Sequence, residues 1–194
     1  MCFRPHPARF GRESPLSSKP RLICLIGAEC TGKTTLAQAL AQQMGGVWVP
    51  EYLRSFTEQN NRTPERTEQA SILKEQVRQE TAALAQARRQ GQTLVFCDTA
   101  PLLTAIYSDV VFADTSLYPQ AHGLHDRYAV TLLLEPDIPW VADGLQRDGM
   151  QWRAKVHARI EKALADWAWP HVRIAGTPEQ RLQTAMDGVL SATH

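Results

Sequence analysis

The chain has 194 residues, 21 Lys and Arg against 20 Asp and Glu, 43% hydrophobic and 21% charged residues. That length builds one sizeable core rather than two, and the ordinary globular composition excludes disorder throughout. A formal charge of +1 supplies no overall field for nucleic acid or an anionic membrane, and the apolar run from Val130 to Leu134 falls far short of bilayer length.

The first 20 residues, MCFRPHPARFGRESPLSSKP, carry Arg4, Arg9, Arg12 and Lys19 without the apolar middle of a secretory signal. They read as a flexible tail, followed by a single domain over 21–194. Cys2, Cys24, Cys30 and Cys97 show no C-x-x-C spacing, so reduced thiols and a cytoplasmic location are expected.

RLICLI is a short strand ending at Gly27, and KTTLAQALAQQM continues as a helix stopped by Gly45 and Gly46. VWV at 47–49 is a second strand, with EYLRSFTEQNN opening a helix. Thr63 and Pro64 form a cap and first-turn pair for a long helix to about Arg89, whose apolar stripe is Ala70, Leu73, Val77, Leu84 and Ala87. TLVFCD is the third strand and PLLTAIYSDVVF the helix after it. His122 and His125, in HGLH, read as loop residues, since no further ligand cluster accompanies them. AVTLLL and HVRIAG are the fourth and fifth strands. Between them, PDIPWVADGLQRDG forms a loop carrying a short helix, and another helix runs from about Met150 to Trp167. The last helix starts at Pro178 and reaches about Leu190.

Strands alternating with helices predict an α/β three-layer sandwich: a parallel sheet of five strands covered on both faces. Ligands bind at the carboxyl ends of such strands, where Gly27, Glu51, Asp98, Glu135 and Gly176 converge.

Gly27-Ala28-Glu29-Cys30-Thr31-Gly32-Lys33-Thr34 satisfies G-x-x-x-x-G-K-[ST] at every fixed position. The glycines let main-chain N–H groups wrap a phosphate at a helix N-terminus. Lys33 adds a full charge, Thr34 a hydroxyl for Mg²⁺, and Thr35 a contact to another phosphate oxygen. Asp98, ending an apolar strand, is the expected magnesium partner of Thr34. The motif therefore predicts a P-loop NTPase fold that holds a nucleoside triphosphate with Mg²⁺.

No [NT]-K-x-D segment is present for guanine recognition, and a remodelling ATPase needs more chain than remains. A small-molecule kinase needs an acceptor pocket and a mobile cationic lid. In VWVPEYLRSF, Glu51 serves to bind hydroxyls or remove a hydroxyl proton, with Asp98 as second candidate, and Arg54 serves to fix an anion. Each also reads as one half of a local ion pair. Trp48 either packs in the core or stacks on a planar ring. In DGLQRDGMQWR, Gly144 and Gly149 permit hinging, and Arg147 and Arg153 close on the phosphates or remain solvated charges.

GAECTGKTTL, PEYLRSF, FCDTAPLLTAIYSD and LLLEPDIPWVADGL, in this order, resemble the nicotinamide riboside kinase domain of the NadR type, a P-loop kinase-like family, from about Arg21 to the C-terminus. The resemblance implies a P-loop kinase-like sheet with its strands in the order 2-3-1-4-5, and transfer of the ATP γ-phosphate to the ribose 5′-hydroxyl of nicotinamide riboside. It assigns the nucleotide to Gly27, Glu29, Cys30, Thr31, Gly32, Lys33, Thr34 and Thr35, with an adenine-facing turn at Gly176, Thr177 and Pro178. Glu51, Tyr52 and Arg54 become acceptor residues, with Trp48 and Thr99 as further candidates, and the lid follows Gly144. The chain departs from the family at Pro50, where the pattern has Trp, and at Ala100, where an acidic residue is common. The adenylyltransferase and DNA-binding functions of full-length NadR are not expected, because 194 residues leave no room for either domain and no H-x-G-H motif for nucleotidyl transfer occurs. The expected partner is a small nucleoside-like acceptor, with no nucleic acid and no membrane.

Overall fold

The computed structural model describes residues 19–140 and 150–193. Five parallel strands, β1 (Arg21–Ile26), β2 (Val47–Val49), β3 (Leu94–Asp98), β4 (Tyr128–Leu134) and β5 (Val172–Ile174), form one sheet in the order β2-β3-β1-β4-β5. Order and number agree with the sequence. The central strand β1 is buried on both faces beyond Arg21, as its unbroken apolar run requires.

Side chains alternate across the pleat, so successive residues of β1 serve different layers. Ile23 and Leu25 face helices α1 (Lys33–Met44) and α7 (Pro178–Thr193), where Leu36, Ala37, Leu40, Ala185 and Val189 complete a core with Phe96 and Leu132. Cys24 and Ile26 face α4 (Pro101–Phe112) and α6 (Met150–Asp166), whose Leu102, Ile106, Val156 and Ile160 close the other layer. Helix α2 (Tyr52–Asn60) follows β2, and α3 (Gln69–Gln90) covers β2 and β3 through Ala83 and Ala87. Among the described residues no helix is long and apolar enough to cross a membrane.

Two local expectations are overturned. Thr63 does not cap the long helix. A single 3₁₀ turn, Arg66–Glu68, precedes α3, and Glu65 and Glu68 form a reciprocal capping box across it, which satisfies the first donors as a Thr cap would have done. Gln69, Ile72, Leu73, Gln76, Glu80, Ala83 and Ala87 form the buried face, so the true stripe includes polar residues that an apolar reading passes over. Second, His122 and His125 lie on a helix, α5 (Tyr118–His125), and not in a loop. Its sequence is a weak helix former, and tertiary contacts hold it. The His125 ring stacks on Trp169 with centroids 3.7 Å apart, His122 stacks on the same indole, and Tyr118 meets Trp167 edge-on. Of the expected short helix after β4, residues 135–140 are irregular and the rest lies outside the described residues.

His125 is 5% exposed, and its Nε2 lies 2.9 Å from Thr131 Oγ1. Burial pushes its ring down to about 4, below the ordinary imidazole value of 6.5. A depressed imidazole contributes stability fully present above that ordinary value and lost as pH falls toward 4, because only the unfolded chain takes up the proton. This site should account for at most about 3 kcal/mol of acid destabilisation. Urea unfolding from pH 7 to 4 should show a shallower pH slope in His125→Phe than in the unaltered protein.

Candidate active site

The phosphate loop leaves β1 at Gly27, where a Cβ would lie 2.9 Å from Leu134 O and 2.7 Å from Thr31 Oγ1. Only glycine lets the backbone run this close to β4. Cys30 and Gly32 are left-handed, with φ of 52° and 81°, and their curl aims successive N–H groups at one centre. Gly32 caps α1 without any side-chain hydrogen bond, so the leading N–H groups of the helix are left to a ligand.

The carbonyls of the loop are held from outside. Lys33 Nζ donates to Gly27 O and Ala28 O, both at 3.1 Å. One guanidinium nitrogen of Arg153 donates to Cys30 O at 3.1 Å, and one of Arg181 donates to Thr31 O at 2.9 Å. Thr31 Oγ1 reaches Ala28 O at 2.8 Å.

Thr34 follows on α1, and its Oγ1 donates to Asp98 Oδ2 at 2.5 Å. Asp98 is 1% exposed, and its Oδ1 is buried without a hydrogen-bond partner. A hydroxyl beside a carboxylate with one orphaned oxygen is a hard-oxygen donor set, and it fits Mg²⁺. Thr99, next in sequence, has φ of 85° and a buried Oγ1 with no partner. That backbone is strained for a β-branched residue.

A cavity of about 200 Å³ adjoins the loop, with Lys33 and Thr34 on one side and Glu51, Arg54 and Tyr107 on the other. Tyr107 Oη on α4 donates to Glu29 Oε1 at 2.6 Å. Glu51 precedes α2 as its N-cap residue without bonding back to the helix. Burial pushes its carboxyl above the ordinary value; Lys33 and Arg54 oppose the shift, and Asp98 and Glu29 add to it.

The turn at residues 176–178 is tied to the same frame. Gly176 is left-handed at 93°, its N–H donates to Asp137 Oδ2 at 2.7 Å, and Thr177 N–H is met by Gln180 Oε1 at 2.9 Å ahead of Pro178. Arg181 joins the two halves, donating to Gly176 O, Glu135 O and Asp137 as well as to Thr31 O.

The structure thus gathers Glu29, Cys30, Thr31, Gly32, Lys33, Thr34, Thr35, Glu51 and Arg54 around one cavity, with Asp98 against Thr34 and Gly27 at the root of the loop, its carbonyl bonded by Lys33. Trp48 belongs elsewhere: it packs against the α1 and α7 core, and a ring-stacking role does not follow from that position. Arg153 is 5% exposed and donates to Ile138 O and Cys30 O, so it braces the loop in place of closing on phosphate. Tyr52 contributes its backbone N–H to Gln76. Arg147 lies outside the described residues.

Sequence reasoning missed Arg181, Tyr107 and Gln76. Arg181 had a signal: with Ala185 and Val189 it forms the buried i, i+4, i+8 stripe of α7, where an arginine is out of place unless tertiary partners hold it. Tyr107 gave none.

Residues 22–181 match a family described as AAA domain. The chain belongs to that family. The trifunctional NAD biosynthesis/regulator proteins NadR of Salmonella typhimurium and Escherichia coli are each 27% identical to it over 150 residues, 76% of this chain and 37% of theirs. The chain therefore spans a little over a third of the length of these relatives. A solved NadR protein in complex with NR matches with a TM-score of 0.71 at 19% identity, over 90% of this chain and 50% of that one. A thymidylate kinase from Ehrlichia chaffeensis matches with 0.61 at 15% identity, over 91% and 100%. The fold is that of P-loop kinases, and the domain is NadR-like.

The close approach at Gly27 generates a test. Gly27→Ala should displace the loop from β4 and weaken ATP binding by at least about tenfold, one lost hydrogen bond or more, while circular dichroism stays unchanged. Calorimetric titration with Mg·ATP measures it.

Proposed function

We propose that the protein transfers the γ-phosphate of ATP to a hydroxyl of a nucleoside, in first place the ribose 5′-hydroxyl of nicotinamide riboside. One observation carries this reading: the cavity beside the phosphate loop is shared by Lys33 and Thr34 with Glu51 and Arg54, so a donor phosphate and an acceptor hydroxyl fit side by side. A hydrolase would not need the second wall. Support for the acceptor comes from the NadR structures, one in complex with NR and another with NAD and AMP-PNP, the latter at TM-score 0.70.

In this reading the main-chain N–H groups of 27–34 and Lys33 hold the β- and γ-phosphates. Thr34 and Asp98 would hold Mg²⁺, which supplies neutralising charge to the phosphate oxygens. The acceptor oxygen attacks phosphorus, the bond to the bridging oxygen of ADP breaks, and the hydroxyl proton passes to the Glu51 carboxylate. A carboxyl raised by burial is a stronger base than an exposed one. It must be ionised to act, so turnover should fall as pH drops through its raised value. Arg54 orients the acceptor opposite Lys33, and Gly176, Thr177 and Pro178 flank the base of ATP. Catalysis is mostly positioning and charge stabilisation.

A second reading, a kinase for another nucleoside or nucleotide, is favoured by the matches to the thymidylate kinase and to a deoxyadenosine kinase of M. mycoides, the latter with TM-score 0.56 at 12% identity. ADP release measured with nicotinamide riboside, thymidylate and deoxyadenosine separates the two. Stimulation by nicotinamide riboside alone supports the first, stimulation by another nucleoside or by a nucleotide the second. A slow rate indifferent to every acceptor would instead mark a regulatory ATPase.

Lys33→Ala should lower turnover by on the order of 100-fold or more. Glu51→Gln should lower it by about 100-fold or more and leave ATP affinity unchanged. Full turnover in the Glu51 variant would remove that residue from the chemistry.

A further inference from the structure

Helix α2 opens without a cap of its own. Glu51, its N-cap residue, makes no side-chain hydrogen bond to the helix. The N–H of Tyr52 is met from α3, by Gln76 Oε1 at 2.9 Å. Gln76 is 1% exposed and Glu80, one turn further along α3, is fully buried. Gln76 Nε2 faces Glu80 Oε1 at 3.5 Å. The same oxygen accepts from Tyr128 Oη at 2.8 Å, and Glu80 Oε2 lies 3.3 Å from Arg127 Nη1.

An ionised carboxylate only accepts hydrogen bonds, whereas an amide has a donating and an accepting end. Glu80 therefore turns the NH₂ of Gln76 toward itself and the carbonyl toward Tyr52. The reversed amide would set an N–H against an N–H. Both polar residues occupy the buried face of α3, where apolar side chains would pack without needing partners.

We propose that Gln76 and Glu80 are positioning residues for the phosphate acceptor: they cap α2 from a neighbouring helix and so leave the Glu51 carboxylate to the cavity. The proposal rests on the reading of Glu51 given above. A glutamate bonded to its own helix would be withdrawn from the acceptor; the cap from α3 makes that bond unnecessary. Glu80 is faced by Cys24 on β1, Cys97 on β3, Gln76 on its own helix, Arg127 in the turn before β4 and Tyr128 at its start. Of these only Arg127 carries a charge at neutral pH, and it favours the ionised carboxylate. Burial nonetheless raises Glu80 to about 7, so the orienting charge strengthens above neutrality.

The test uses the full chain and two readouts. In Gln76→Met, which keeps the side chain's length, hydrogen exchange at the Tyr52 amide should accelerate by about tenfold, one neutral hydrogen bond. KM for the acceptor should rise by a similar factor while KM for ATP holds. The crossed variant Gln76→Glu with Glu80→Gln restores an acceptor facing Tyr52 and a donor behind it, and should recover the acceptor KM. Unchanged exchange at Tyr52, equal changes in both KM values, or no recovery in the crossed variant would overturn the proposal. If the unaltered protein turns over no acceptor, the kinase reading fails instead, and exchange at Tyr52 alone decides whether Gln76 holds α2.

Discussion

The structure depends on how the outer side of the phosphate loop is held. A loop that points its N–H groups at an anion must point carbonyls the other way, and those oxygens need donors once buried. Here Lys33, Arg153 and Arg181 supply them at Gly27, Ala28, Cys30 and Thr31. Hydrogen bonds from charged donors contribute about 1.5–3 kcal/mol each, enough to offset the left-handed turns at Cys30 and Gly32. The three cations come from α1, α6 and α7, which lie on both faces of the sheet. The anion site is therefore an outcome of the whole sandwich rather than of one loop sequence.

Most of the fold was legible because its rules are local. Strand-length apolar runs ending in glycine or acid, with Pro101 and Pro178 opening helices, gave the five parallel strands and the position of the phosphate loop, and the likeness to P-loop kinases gave the strand order. The start of α3 and all of α5 were not legible, since the first depends on Glu65 and Glu68 closing on each other and the second on His122 and His125 finding Trp169 across the fold. The nucleotide side of the site was readable from backbone demands that only glycine meets at Gly27. Arg181, Gln76 and Glu80 escaped because a polar residue on a helix is ordinarily a surface residue. They show only when placed on the helical period and found among apolar neighbours.

The outer edge of the sheet uses charge in a different way. β5 has three residues, too few to hold an edge by its ladder alone. Arg173 on it donates to Glu135 at 2.6 Å and to Glu161 at 2.7 Å, and His157 Nε2 lies 3.2 Å from the second oxygen of Glu135. One arginine thus ties the end of β4 to α6. The same end of β4 gives the Glu135 carbonyl to Arg181, which also holds Gly176 O, so the edge and the turn at 176–178 share one anchor.

These arrangements divide the site unequally. The nucleotide end is fixed by backbone atoms and buried cations, whose placement the fold itself dictates. The proposed acceptor end depends on side chains: Glu51 and Arg54 after β2, Tyr107 holding Glu29 from α4, and one amide of α3 capping α2. NadR protein and a thymidylate kinase match this fold at 19% and 15% identity, so the sandwich by itself selects no acceptor. A change of two or three residues on α2, α3 and α4 would alter the second wall of the cavity while leaving every carbonyl clamp of the phosphate loop in place. Acceptor choice can therefore diverge in this fold without any cost to the grip on ATP.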